Sequence, residues 1–172
     1  MKIQHILAYL LIFNAPLNAQ MVEQPTLPYP FGITLTTPDS IEVNSNTVFA
    51  AKKPTVVAFW LTTCAPCMME FAAYAQNFKT WKEQVDFQLV AISIDFPQRF
   101  RQFQQFAREK GWPFPVYWDG PRAFKDILPG GLNGLPQVFL FDKNGKLVWQ
   151  HRKYQPGDEI ALFEELKKVN LQ

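Results

Sequence analysis

The spacing of apolar residues changes period several times along the chain, and each change marks an element. Thr55-Val56-Val57-Ala58-Phe59-Trp60 is an unbroken apolar, β-branched run after the turn Lys52-Lys53-Pro54, and it predicts a central strand over 55–61. From Cys64 to about Lys82 the period is helical: Cys67, Phe71, Tyr74, Phe78 and Trp81 recur at spacings of four and three. Phe87 to Ile94 is continuously apolar apart from Gln88 and Ser93, as in a strand buried on both faces of a parallel sheet. Pro97 opens a second helix to about Lys110, with Phe100, Phe103 and Phe106 as its core stripe and Gly111 as its end. Phe114 to Trp118 predicts a further short strand, and Arg122 to Leu128 a short helix or turn.

Shorter patterns flank this centre. Ile33-Thr34-Leu35-Thr36 and Ile41-Glu42-Val43 alternate on either side of Asp39-Ser40, which predicts a hairpin at a sheet edge. Val138 to Phe141 and Leu147 to Gln150 enclose Asp142-Lys143-Asn144-Gly145, a hairpin signal with Asn-Gly at its tip. Residues 129–134, with three glycines, read as a loop. Asp158 is the expected N-cap of a closing helix over 159–169, whose apolar face would be Ile160, Phe163, Leu166 and Val169. Strand–helix alternation followed by an antiparallel hairpin and a last helix predicts an α/β fold in three layers, a mixed central sheet flanked by helices. The N-terminal hairpin and the helix–strand over 97–118 are additions to its centre.

The chain has 172 residues, one domain's worth, and its 16 Phe and 5 Trp suit a well-filled interior. Residues 1–19 have the layout of a secretory signal peptide: basic Lys2, the apolar run Ile6 to Phe13, Pro16 as breaker and Ala19 before the cut. Retention as a membrane anchor is the other reading, although spanning needs roughly 20 apolar residues. Residues 20–31, with Pro25, Pro28 and Pro30, read as an extended lead-in, and 32–172 as the folded domain. The formal charge is +2, and removing 1–19 would take Lys2 and no acid. So balanced a surface gives no electrostatic footprint for nucleic acid or an anionic membrane.

The chemistry is concentrated in Cys64-Ala65-Pro66-Cys67, which contains the chain's two cysteines. One pair closing a tiny loop stabilises little, so its value is expected to be chemical, in a compartment where disulfides persist. At the strand-to-helix junction Cys64 would sit at a helix N-terminus. There backbone amides and the macrodipole favour the thiolate, the form that attacks disulfides. The hydroxyls of Thr62 and Thr63 are candidate donors to it, and Pro66 pre-sets helical φ. Cys67, one turn further in, is the expected resolving thiol of a redox-active disulfide. Half of a structural zinc site is the alternative. Such a site takes about four ligands, and His151 is the one histidine beyond the first 19 residues. No metal or other cofactor is expected. Neither Ala65 nor Pro66 brings a cation to the dithiol, which favours a reductant over a strong oxidant.

Three segments resemble the thioredoxin-like family, in particular its secreted TlpA/ResA-like, AhpC/TSA-related members: Phe59 to Cys67, Glu70, and Gly134-Leu135-Pro136-Gln137-Val138. The recognisable pattern spans roughly 32–170. That resemblance implies a thiol–disulfide oxidoreductase, in which Pro136 is a cis proline facing the disulfide, with an ordinary trans proline as the alternative. It implies that Leu135 presents its backbone to an extended substrate segment, and that Trp60 and Leu135 border an apolar groove, although Trp60 reads equally well as core. The cytoplasmic archetype has Trp where Thr63 stands and a buried Asp where Ala58 stands. Glu70, on the helical face of Cys67, is then the candidate proton acceptor for the second thiol, against the plain reading of a solvated helix glutamate.

The partners so implied are exported proteins carrying disulfides or dithiols, with a membrane electron donor, acting on a monomer that binds no nucleic acid. Two other activities share these residues. A peroxiredoxin-type peroxidase would carry Thr three residues before the reactive cysteine, where Leu61 stands. A copper(I) chaperone would use Cys64, Cys67 and His151, since soft thiolates suit Cu(I). A binding module with an incidental dithiol is the third reading.

Overall fold

The computed structural model describes residues 29–49 and 52–171. The signal-peptide reading of 1–19, and the lead-in up to residue 28, lie outside the described residues. In chain order the elements are β1 (Thr34–Thr36), β2 (Glu42–Asn44), α1 (Ser45–Val48), β3 (Thr55–Trp60), α2 (Ala65–Gln84), β4 (Gln88–Ser93), a 3₁₀ turn (Pro97–Arg99), α3 (Phe100–Lys110), β5 (Val116–Trp118), α4 (Phe124–Ile127), β6 (Gln137–Phe141), β7 (Leu147–Arg152) and α5 (Asp158–Asn170).

The strands form one sheet in the order β2-β1-β5-β4-β3-β6-β7. β3, β4 and β5 run parallel, so their links must cross a face of the sheet, and α2 and α3 do this. The β6–β7 hairpin and the β1–β2 hairpin add antiparallel edges. This is the predicted mixed α/β sheet. Period-two alternation divides β3 between two cores. Val56, Ala58 and Trp60 face α2, α3 and α5, while Val57 and Phe59 face the side carrying Phe49, Phe124 and Leu128. Both sets are buried, which is why β3 reads as continuously apolar.

Several expectations are corrected. Tyr29 and Phe31, in the segment read as an extended lead-in, are half-buried and pack against one of the two cores. Tyr29 packs on Phe31, Phe49 and Phe141, and its hydroxyl donates to Thr55 Oγ1 at 3.3 Å. Tyr29 also lies so close over Gly145 that a Cβ there would meet its ring, and Gly145 has φ +81°. The 142–146 loop therefore needs glycine for two reasons. Asn144 keeps a negative φ, and the hairpin closes through Asp142, whose Oδ1 accepts from the amides of Asn144 and Lys146.

α5 is not capped by Asp158. Its N-cap is Gly157 at φ +105°, and Asp158 is the first helical residue. The Asp158 carboxylate instead accepts from Gln155 N at 2.6 Å and pairs with His151 Nε2 at 2.8 Å. The inward face of α5 has Leu166 and Val169 buried and Phe163 stacked on Trp81, as expected, but it is completed by buried Leu162, and Ile160 is 61% exposed. In α3 only Phe103 is fully buried, with Phe100 and Phe106 partly covered against the same core.

Candidate active site

Cys64 is the N-cap of α2, a helix of 20 residues. The chain reaches it through a tight turn in which Cys64 N donates to Leu61 O at 3.0 Å. That turn is anchored from beneath by Asp95, just beyond the end of β4. The fully buried Asp95 carboxylate accepts from Thr62 N at 2.8 Å, Thr62 Oγ1 at 2.9 Å and Ser93 Oγ at 2.7 Å. Three donors satisfy a carboxylate that would otherwise be costly to bury. The Thr62 hydroxyl, a candidate donor to the thiolate, is thus spent on Asp95. Asp95 was missed in the sequence. The available signal was a Ser-x-Asp pair closing an apolar parallel strand, at the end of the sheet where α/β sites gather.

Cys64 and Cys67 form a disulfide. Cys64 is half-buried and Cys67 has no exposed surface, so the two cysteines are unequally accessible. Cys64 Sγ accepts from Cys67 N at 3.3 Å, and Pro66 lies in the first turn, where its missing N–H costs nothing. Once reduced, Cys64 would have the first-turn amides and the helix dipole beside its sulfur, the environment that lowers a cysteine pKa.

Glu70 is one turn beyond Cys67 and only 1% exposed, so the solvated reading does not hold. Tyr74, also buried, donates its hydroxyl to Glu70 Oε1 at 2.9 Å, and Oε2 is buried without a partner among the described residues. Burial pushes the Glu70 carboxyl up to about 8; the Tyr74 hydrogen bond opposes this, and the charges of Asp158 and Glu159 add to it. Tyr74 and the α5 acids were not singled out as parts of the site in the sequence, because Tyr74 reads as one more core aromatic.

The 134–136 loop approaches from β6. The pairing of Phe59 with Gln137 sets Pro136 at the same end of the sheet as the dithiol. The Leu135–Pro136 peptide is cis, as the resemblance implied. Pro136 is buried and Leu135 half-buried, packed against the same core as Cys64. Trp60 does not line a groove with Leu135. It has no exposed surface and is enclosed by Phe71, Phe103 and Trp112. His151 stacks on Trp149 and is engaged by Asp158. Among the described residues no three His, Cys, Asp or Glu side chains gather as a metal site, so the copper set of Cys64, Cys67 and His151 is not assembled.

A seven-stranded mixed sheet with a CxxC disulfide at the first turn of a helix and a Leu-Pro loop at the same end of the sheet is the architecture of a thioredoxin-like protein. The chain belongs to the AhpC/TSA family, whose model matches residues 30–150. It is 32% identical over 111 residues to the thiol-disulfide oxidoreductase ResA of Bacillus thuringiensis (strain Al Hakam), covering 64% of this chain and 60% of ResA. The chain thus matches about three fifths of that relative's length. Among solved structures it is similar to a thioredoxin-like protein from Porphyromonas gingivalis, at 29% identity and a TM-score of 0.69, covering 81% of this chain and 90% of that one. Peroxiredoxin Q of Xanthomonas campestris, at 19% identity and a TM-score of 0.66, covers 83% of this chain and 94% of its own, and shares the fold alone.

Proposed function

We propose that this protein is an exported thiol–disulfide oxidoreductase that reduces disulfides in other exported proteins. The observation that carries the reading is the unequal burial of the two cysteines, Cys64 half-buried at a helix N-terminus and Cys67 enclosed. The ResA likeness supports the reaction class, and the apolar run in residues 6–13 supports export. The absence of a cation at Ala65 and Pro66 supports the reducing direction. Re-reduction of the disulfide would then fall to an electron donor, for which a membrane protein is the natural source.

In the proposed reaction the Cys64 thiolate attacks a substrate disulfide. The substrate S–S bond breaks, a Cys64–substrate bond forms, and one substrate sulfur leaves as a thiolate, which takes its proton from solvent. Cys67 then gives its proton to Glu70 and attacks Cys64 Sγ. The Cys64–Cys67 bond forms, and the second substrate sulfur leaves with the electron pair. Near pH 7 a carboxyl of pKa about 8 is ionised in roughly one molecule in ten, so that ionised fraction takes the Cys67 proton, and Glu70 in the oxidised protein is mostly protonated. It is therefore set to return that proton to the Cys67 thiolate when a donor reopens the disulfide. Leu135 and Pro136 would border the bound substrate segment; Trp60, enclosed in the core, would not touch it.

The purified protein is expected to accelerate insulin reduction by dithiothreitol, and Cys64→Ser to remove the acceleration altogether. Hydrogen peroxide consumption should stay at the level of the Cys64→Ser variant. Rapid peroxide turnover without insulin reduction would favour a peroxidase instead.

A further inference from the structure

Glu70 can serve as a proton carrier only if its carboxylate is held in one place without being fully satisfied. Its surroundings meet both conditions. Oε1 is pinned by the Tyr74 hydroxyl at 2.9 Å, and Oε2 is buried with no partner among the described residues. Tyr74 itself is 1% exposed, and among the described residues its hydroxyl has no other partner than Glu70. Burial and the adjoining Glu70 charge hold its own pKa well above the ordinary tyrosine value, so it remains a donor throughout the working pH range. A phenylalanine would fill the same space, and the surrounding rings of Phe71 and Trp81 need no hydroxyl. The hydroxyl is therefore not explained by packing.

We propose that Tyr74 is a positioning residue of the dithiol chemistry, whose hydroxyl fixes Glu70 through Oε1 and leaves Oε2 to exchange the proton of Cys67. This rests on the role proposed for Glu70 above. Other charged groups act on the same carboxylate from neighbouring elements. Asp158 and Glu159 approach from α5, and both raise its proton affinity. Tyr154, in the turn before α5, is tied to Glu159 by a hydrogen bond of 2.7 Å, and His151 of β7 is paired with Asp158. These groups disfavour the Glu70 carboxylate or are already engaged. Tyr74 is the one hydrogen-bond donor to it among the described residues.

Tyr74→Phe removes that donor. A hydrogen bond to a charged group is strong enough that its loss should raise the Glu70 proton affinity about ten- to a hundredfold, moving its titration up by one to two pH units. The measurement is the pH dependence of the rate at which dithiothreitol reopens the Cys64–Cys67 disulfide, divided by the same rate for Glu70→Gln so that the titration of dithiothreitol cancels. The ratio should break near pH 8 for the wild-type protein and one to two units higher for Tyr74→Phe. Adding Tyr74→Phe to Glu70→Gln should change nothing. A stronger donor, 3-fluorotyrosine placed at 74, should move the break downward and keeps the test open if Tyr74→Phe folds poorly.

A break that stays in place in both variants overturns the proposal for Tyr74 while leaving Glu70 in its role. So does a shift of the same size in the Glu70→Gln background, which would mark a structural effect. A ratio flat with pH in the wild-type protein overturns the roles of both residues.

Discussion

Replacing Cys67 with serine should turn the protein into a covalent trap. The Cys64 thiolate would still attack a substrate disulfide, because its environment at the start of α2 does not depend on the second sulfur. The next step needs a nucleophile beneath Cys64 Sγ, and a serine hydroxyl at neutral pH does not displace a thiolate. The mixed disulfide should accumulate to stoichiometric amounts, visible as a mass increase that dithiothreitol reverses, while turnover falls to background. Cys64→Ser should form no adduct, since Cys67 has no exposed surface. An adduct of equal yield in both variants would mean that the inner sulfur is reachable, contrary to the assigned order of attack.

Glu70→Gln should change stability in a direction set by pH. The Glu70 carboxyl has a pKa of about 8 in the folded protein against 4.5 as its ordinary value, because burial disfavours the charge. The folded chain therefore holds this proton more tightly than the unfolded chain. Its contribution is fully present below about pH 4.5, is lost as pH rises toward 8, and is absent above that. The span corresponds to roughly 5 kcal/mol as an upper figure, given 1.36 kcal/mol per pH unit. Glutamine keeps an acceptor for Tyr74 and carries no charge. The variant should thus match the wild-type protein within about 1 kcal/mol at pH 5 and exceed it by several kcal/mol at pH 9. Urea unfolding of the two oxidised proteins at both pH values measures this, and every other titration cancels in the difference. Parallel stability curves would show that water or a partner reaches Oε2.

The features legible in the sequence were those set by local chemistry. The apolar runs located β3 and β4, the four-and-three spacing located α2, and the cysteines at the junction located the site. The features not legible depend on contacts distant in sequence. A strand buried on both faces gives no clue to which face carries a groove, so the placement of Trp60 was decided by Phe103 and Trp112, some 40 and 50 residues on. Of the face expected for α5, Phe163, Leu166 and Val169 do pack against the core, but Leu162 rather than Ile160 completes it, and Gly157, with its positive φ, stands at the N-cap where Asp158 was expected. Asp95 was hidden at the end of an apolar strand, although it fixes the turn that delivers Cys64. The spacing of Glu70 from Cys67 was visible, but its burial was not, nor was the packing of α5 on α2 that brings Asp158 and Glu159 near enough to act on its carboxyl.

The unequal character of the two sulfurs is tested most directly by alkylating the reduced protein with iodoacetamide across pH and mapping the label by mass spectrometry. At pH 6.5 the label should fall on Cys64 alone, and its rate should reach half-maximum well below the ordinary thiol value of about 8.5. Label appearing first or equally on Cys67, or a Cys64 rate that rises only around pH 8.5, would contradict the account.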